Sequence, residues 1–286
     1  VAQRRILANR RYASSLTNLP VAVKLSGWKN AAVHFFSHGI VFLAMLPSAV
    51  VVYTSFLKTK GPVFVGGFGL ESYERIWRDA PDAIYNSFLF ALIAVTFITI
   101  TSGLISYVIV RRDTKAAAAI DFLMMVPYLV PGVVMAIGFV TVFRNGMPNF
   151  FGPAVLLVII YFIRRLPYGV RSTTSSLRQI KPSLEEAAVN LGATPFGAVV
   201  KITVPLIFPG IVVGALMSFI TAINELSSTL ILYDAGTITM PVKVYVAVLD
   251  GEFGLAAALS TILLLSTGAC VYAVFRFAEN RNSAFL

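Results

Sequence analysis

Few residues in this sequence have the types and spacing to do chemistry. His34 and His38 lie four apart, which would put both imidazoles on one helical face, but no cysteine or carboxylate stands near them to complete a metal site. Cys270 is the single cysteine and sits inside an apolar run, so it reads as a small packing residue with no disulfide partner in the chain. No Ser–His, His–Glu or paired-carboxylate set falls at a common depth, so the residues do not describe an enzyme. The sequence has no G-x-x-x-x-G-K-[ST] phosphate loop, and no Gly-Lys pair occurs in it. Neither a metal nor a nucleotide is expected on this chain.

The remaining candidates are polar groups in apolar surroundings. Asn224, Glu225, Ser227, Ser228 and Thr229 form one patch, and Glu225 and Asp121 are the carboxylates that fall within apolar segments. A charge at bilayer depth costs about 2.5–3.5 kcal/mol on insertion scales, so it faces a cavity or a partner. Glu225 therefore lines a pathway, where an acid suits a cation, or makes a buried hydrogen bond between helices. Arg164 and Arg165 either meet an anionic substrate or snorkel to the cytoplasmic membrane edge, and snorkelling is the preferred reading.

These residues are set in a chain of 286 residues that is 57% hydrophobic and 13% charged, with a mean hydropathy of +0.82. Soluble domains run about 45–50% apolar and about 25% charged, so the solvent expected here is a bilayer. Six segments near 35–56, 86–110, 116–143, 151–171, 205–232 and 254–276 are apolar enough to span it. Backbone groups must be satisfied inside lipid, which makes the spans helices. The expected fold is thus all-α, a polytopic membrane protein of six transmembrane helices. Pro127 and Pro131 predict a bent third span, which would serve gating or packing equally.

The net charge of +10 does not describe a nucleic-acid surface, because the basic residues cluster between apolar segments and on the N-terminal tail. With that tail in the cytoplasm, 17 basic residues fall inside and six outside, which predicts that both termini are cytoplasmic. The division expected is a basic tail over 1–30, a first transmembrane helix and external loop over 31–82, and a core over 83–280. The external loop, about 57–85, is expected to hold a short amphipathic interfacial helix around Tyr73, Ile76 and Trp77. Val1 in place of Met leaves open a trimmed chain, a start at an alternative codon, or part of a longer polypeptide.

The connection over 172–205 is unusual for a linker. Ser183 and Glu186 make a capping box that starts a helix near Leu184, with Leu184, Ala187, Ala188 and Leu191 as its apolar stripe. Gly192 stands where a left-handed residue would stop that helix. Thr194 and Pro195 then cap and open a second helix, expected to end before Pro205. Glu185 and Glu186 offer charge at the first helix's N-terminal end, and the alanines let another surface approach. A docking site and a seal for the bundle both fit these features.

The spacing Glu186-Ala187-Ala188, x3, Gly192, x9, Ile202, x, Val204-Pro205 resembles the EAA loop of ABC importer permeases, E-A-A-x3-G-x9-I-x-L-P, with Val204 the one departure. That resemblance implies the type I importer (MetI-like) fold in a bacterial inner membrane. It implies that Leu184, Glu185, Glu186, Ala187, Ala188, Gly192 and Ala193 form a coupling helix docking on an ABC ATPase dimer, where ATP and Mg are bound. It also implies a second permease domain, supplied by another copy, a homologue or the other half of a fused chain, and an extracytoplasmic substrate-binding protein. The stretches Arg164-Arg-Leu-Pro-Tyr-Gly-Val-Arg171 and Asn224-Glu-Leu-Ser-Ser-Thr229 resemble the ferric-iron branch of these permeases, as does the tail before Trp28, which is similar to the join in fused two-repeat members. Ferric iron is the expected cargo; phosphonate, sugar phosphate or polyamine are the alternatives, with an ATPase-independent channel or carrier more remote.

Overall fold

The computed structural model describes residues 27–112, 114–145 and 152–283, so the basic tail falls almost wholly outside the described residues. The chain divides into two compact units, Val1–Pro47 and Ser48–Leu286. Helix α1, Trp28–Ser55, begins in the first, with its apolar side chains uncovered. There the His38 Nδ1 lies 2.7 Å from the His34 carbonyl, one helical turn back.

In the second unit, Leu57–Lys60 (β1) and Val63–Phe68 (β2) form an antiparallel hairpin. It turns at Gly61, whose φ of +60° suits glycine. This hairpin was not expected; alternating Val and Phe around Gly61-Pro62 is its signal in the sequence. Helix α2, Glu71–Asp79, is the short amphipathic helix expected around Ile76, which it buries while leaving Trp77 exposed.

The spans follow. Helix α3 is Pro81–Arg111. The third span is broken rather than bent: Lys115–Leu123 (α4), Val126–Leu129 (α5) and Gly132–Phe139 (α6) turn by 98° at residues 130–131. Pro131 lacks an N–H and holds Val130 in extended backbone, which ends the helix there. Helix α7, Pro153–Arg178, runs about two turns beyond the expected span because Pro167 is accommodated within it. After the connection described below, α8 is Ser183–Asn190, α9 is Pro195–Ala198 and α10 is Val204–Ile223. Contrary to expectation, the helix does not end before Pro205. A π turn at Val199–Thr203, in which Val204 N–H bonds the Val199 carbonyl, carries the helix through the proline.

The fifth span also stops earlier than expected, at Ile223. The Glu225 carboxylate accepts from the Ser228 N–H at 3.1 Å, and the short helix α11, Thr229–Leu232, starts afresh. The apolar helix α12, Met240–Leu249, was not expected; α13, Phe253–Ser283, closes the chain.

Bundle packing rests on small residues. A Cβ at Gly210 would lie 2.0 Å from Ser176 Oγ, and one at Gly214 only 3.1 Å from Gly169 Cα. Ser172 Oγ donates to the Gly210 carbonyl at 2.7 Å and Ser106 Oγ to the Val170 carbonyl at 3.1 Å. In hydrocarbon, close backbone approach and such hydrogen bonds hold helices together. Gly210→Val should destabilise the fold by about 1–3 kcal/mol through overpacking. Gly138→Ala, with nothing within 4 Å of its Cβ position, should be neutral. Thermal unfolding of the detergent-solubilised protein measures both.

Candidate functional site

Two places gather the candidate residues. The first is the connection between α7 and α10. Pro182 already has helical backbone, so Ser183 is the first helical residue and makes no side-chain cap; the expected capping box is absent for that reason. Instead the Pro182 carbonyl accepts from Glu185 and Glu186 N–H at 3.0 and 3.2 Å. The other end is as expected. Gly192 has φ +93°, its N–H bonds the Val189 carbonyl, and Ala193 N–H bonds the Ala188 carbonyl, a Schellman closure. Thr194 Oγ1 then caps α9 by accepting from Gly197 N–H at 3.1 Å.

Glu185 and Glu186, adjacent in sequence, take opposite roles. Glu186 is exposed, with Leu184, Ala187 and Ala188 on the same short helix. Glu185 turns inward. Its Oε1 accepts from Arg111 Nε at 3.0 Å, Arg111 Nη2 at 2.8 Å and Thr203 Oγ1 at 2.8 Å, and its Oε2 from Tyr107 OH at 3.0 Å. Arg111 Nη1 also donates to the Ile180 carbonyl at 3.2 Å. One carboxylate thus ties α8 to the end of α3 and to the π turn entering α10. Sequence spacing gave no sign of Arg111, Tyr107 or Thr203 as its partners, because they lie on other elements. Burial alone would raise the Glu185 carboxyl; the hydrogen bonds from Thr203, Arg111 and Tyr107 outweigh it and hold the group below its ordinary value. Beside it lies a cavity of about 270 Å³ bordered by Glu186, Val189, Asn190 and Pro195, while Leu191 (90% exposed) and Phe196 (79%) project uncovered.

The second place is the break between α10 and α11. Glu225 is buried, and Arg164 Nη1 donates to its Oε1 at 2.5 Å while Arg165 Nη2 donates to its Oε2. Ser228 Oγ donates to Oε1 at 2.9 Å. Of the expected pathway residues, Glu225 and Ser228 therefore share one network. Asn224 instead donates to the Ile220 carbonyl and to Thr267 Oγ1 at 2.8 and 3.0 Å. Ser227 packs by Gly132, where a Cβ would lie 3.0 Å from the serine's.

The arginines turn toward Glu225 rather than toward a helix end. Because α7 continues to Arg178, Arg164 sits near mid-helix, roughly 17 Å from one end and 21 Å from the other at about 1.5 Å per residue. At that point along the helix Glu225 is their polar partner. Two cations bracket the one acid of this network, so its formal charge is positive rather than acidic. Among the described residues no cluster of three or more His, Cys, Asp or Glu side chains is placed to hold a metal ion.

Among the described residues, five apolar helices long enough to cross a membrane, one broken span and the helix pair before α10 describe a polytopic membrane bundle, and comparison with known proteins identifies the family. Residues 100–283 match the family described as binding-protein-dependent transport system inner membrane component, and the chain belongs to it. It is 26% identical over 264 residues to the ferric transport system permease protein FbpB of Actinobacillus pleuropneumoniae, covering 91% of this chain and 37% of that protein. The chain thus spans little more than a third of that relative's length. A protein of Salmonella typhimurium described as a 2-aminoethylphosphonate transport system permease, PhnV, is 23% identical over 241 residues, covering 84% of this chain and 91% of that one. In fold, the chain is similar to a chain of a bacterial ABC transporter involved in import of the acidic polysaccharide alginate, with a TM-score of 0.66, 15% identity, and 90% and 98% of the two chains covered.

The lowered Glu185 carboxyl carries a pH signature. A depressed folded-state value stabilises the loop's attachment above the unfolded value, and that contribution is lost as pH falls through the folded one. Glu185→Gln at neutral pH should reproduce the acid effect, leaving Arg111 short of its partner at a cost of about 1–3 kcal/mol. Hydrogen exchange should then speed roughly 5- to 150-fold over 183–203, with the α3–α7–α10 seam unchanged.

Proposed function

We propose that this chain is the membrane-spanning permease part of an ABC importer that moves ferric iron inward, driven by ATP hydrolysis on a partner chain. One observation carries the reading: the EAA spacing over Glu186–Pro205 lies on two short helices, the second running without a break into α10, in a chain of the binding-protein-dependent family. On this reading Leu184, Glu186, Ala187, Ala188, Gly192 and Ala193 form the face that meets the ATPase, and Glu185 anchors that face from behind. The cavity beside Glu186 would take a partner side chain, and Leu191 and Phe196 would be covered on docking. Both termini and this loop lie on the cytoplasmic side, a placement supported by the split of 17 basic residues to six. A second permease domain and an external binding protein complete the machine. Ferric iron is supported by the similarity to the ferric permease relative.

Gly192 offers the direct test. A β-branched residue at φ +93° pays the left-handed strain of about 1–2 kcal/mol and tilts the end of α8, with open space around it to keep the protein folded. In the reconstituted complex, Gly192→Val should lower uptake per ATP hydrolysed several-fold with assembly in the membrane unchanged. Normal coupled uptake in this variant would sink the docking role and favour a channel or carrier. For the cargo, ATPase stimulation is compared with the binding protein loaded with ferric iron, a phosphonate or a hexose phosphate; stimulation by a phosphate ester alone would overturn iron and leave the permease reading intact.

A further inference from the structure

We propose that Arg164 and Arg165 form an oxyanion subsite in the membrane-spanning bundle, with Glu225 as the internal acid that positions both guanidinium groups and neutralises only one. The argument is a deficit of acceptors. Each guanidinium has five N–H donors, yet the carboxylate they share is already occupied. Glu225 Oε1 takes Arg164 Nη1, Ser228 N–H and Ser228 Oγ, and Oε2 takes Arg165 Nη2. The Nε atoms of both arginines are buried with no hydrogen-bond acceptor, although Tyr168 stands within hydrogen-bonding reach of Arg165.

Neighbouring cations are treated differently. Arg171 has Asp121 at 2.9 Å and Arg111 has Glu185 at 2.8 Å, one acid for each base. Only around Glu225, among the ion pairs of the described residues in the spans, do two bases meet one buried acid. The start of α6 adds to the positive field, because Gly132 lies against Arg164 so closely that a Cβ there would be 2.6 Å from Nη1. The side chains of Arg164 and Arg165 each keep 14% of their surface open, so the cluster can be reached.

A small oxyanion at the open part of the two guanidinium groups would supply the negative charge that Glu225 leaves missing, while the buried Nε atoms stay out of its reach. Phosphate, phosphonate and carboxylate oxygens match the planar fork of a guanidinium and bring the missing negative charge. The inference rests on the permease reading for the ligand's role as cargo, and it constrains that cargo. Iron passing this point would do so within an anionic complex whose oxygen ligands face the arginines. The shared chemistry is the oxyanion, from a free phosphonate or from a ferric complex.

The test uses the purified full chain in lipid nanodiscs, with radiolabelled inorganic phosphate as the probe in a scintillation proximity assay. Arg165→Gln and Arg164→Gln should each weaken phosphate binding at least about tenfold, the loss of one charge-assisted contact. Glu225→Gln should do the reverse and tighten it several-fold, because it removes the competing acid; a purely structural role for the triad gives no such opposite sign. Arg164→Lys keeps the charge without the fork, and should bind between wild type and Arg164→Gln if Glu225→Gln fails to fold. Displacement of phosphate by 2-aminoethylphosphonate or by ferric citrate identifies the source. Phosphate binding that is absent, or unchanged in Arg165→Gln, overturns the proposal and assigns the missing negative charge to the other permease half. ATP-driven uptake, measured separately, tells this failure from failure of the permease reading.

Discussion

Apolar side chains gain little by meeting one another when the surrounding solvent is hydrocarbon, so a membrane bundle must hold itself together by close backbone approach and by hydrogen bonds. In this chain that constraint falls on one seam. Gly169 on α7 and Gly210 and Gly214 on α10 leave no room for a Cβ, and Ser102 and Ser106 on α3 pack the third side. The same seam positions the charged network, since Ser218 Oγ donates to the Arg165 carbonyl at 3.2 Å, next to the side chain that reaches Glu225. Tyr161 OH and Thr229 Oγ1, 2.6 Å apart, and the bond from Thr229 Oγ1 to the Glu225 carbonyl at 2.8 Å, fix the other side of the helix break. The charges are held by backbone placed through glycine and serine.

The seam also connects the two sites. Helix α7 enters the loop bearing Gly192, and α10 leaves it through a continuous π turn, so both walls of the loop are walls of the seam. Glu185 adds a third attachment, to Arg111 at the end of α3. On the proposed reading, a push on α8 would be delivered to all three helices at once. Arg164 and Arg165 lie about midway along α7, and Glu225 sits one residue beyond the cap of α10. A relative shift of these helices would change the separation of the two arginines from their acid. A two-state element biased at two separate sites is what coupling physically requires.

Much of this was legible in the sequence, and the reasons are local ones. Each span announces itself through its own composition, and the loop through residues whose roles depend on immediate neighbours: Gly192 through a left-handed backbone, Thr194 through a side chain three residues from its partner. The break at Pro131 was foreseen as a bend because proline's missing N–H is a property of the residue itself. Its 98° size depends on what packs beyond it. The capping box failed at the margin of the same logic. Pro182 could begin the helix one residue sooner, and Ser183 then had no free N–H to cap.

What could not be read from spacing was the partner of each charge. Glu225 lies about sixty positions from the arginines that hold it, and no periodicity links the two stretches. The acidic-lining reading of Glu225 and the snorkelling reading of the arginines each treated one member of a single network as alone, whereas the buried hydrogen bond between helices, the other reading of Glu225, is what the pairing resembles. The pairing carries physical information. An isolated acid or an isolated arginine at that depth is costly, and pairing them lowers the cost of both. Two arginines to one acid, however, leaves one cation still uncompensated. One base would already balance the charge of Glu225, although each arginine meets a different oxygen of it. On the proposed reading, the surplus charge is better understood from what passes the helix break, or from what a second permease domain would bring to it, than from the stability of this chain.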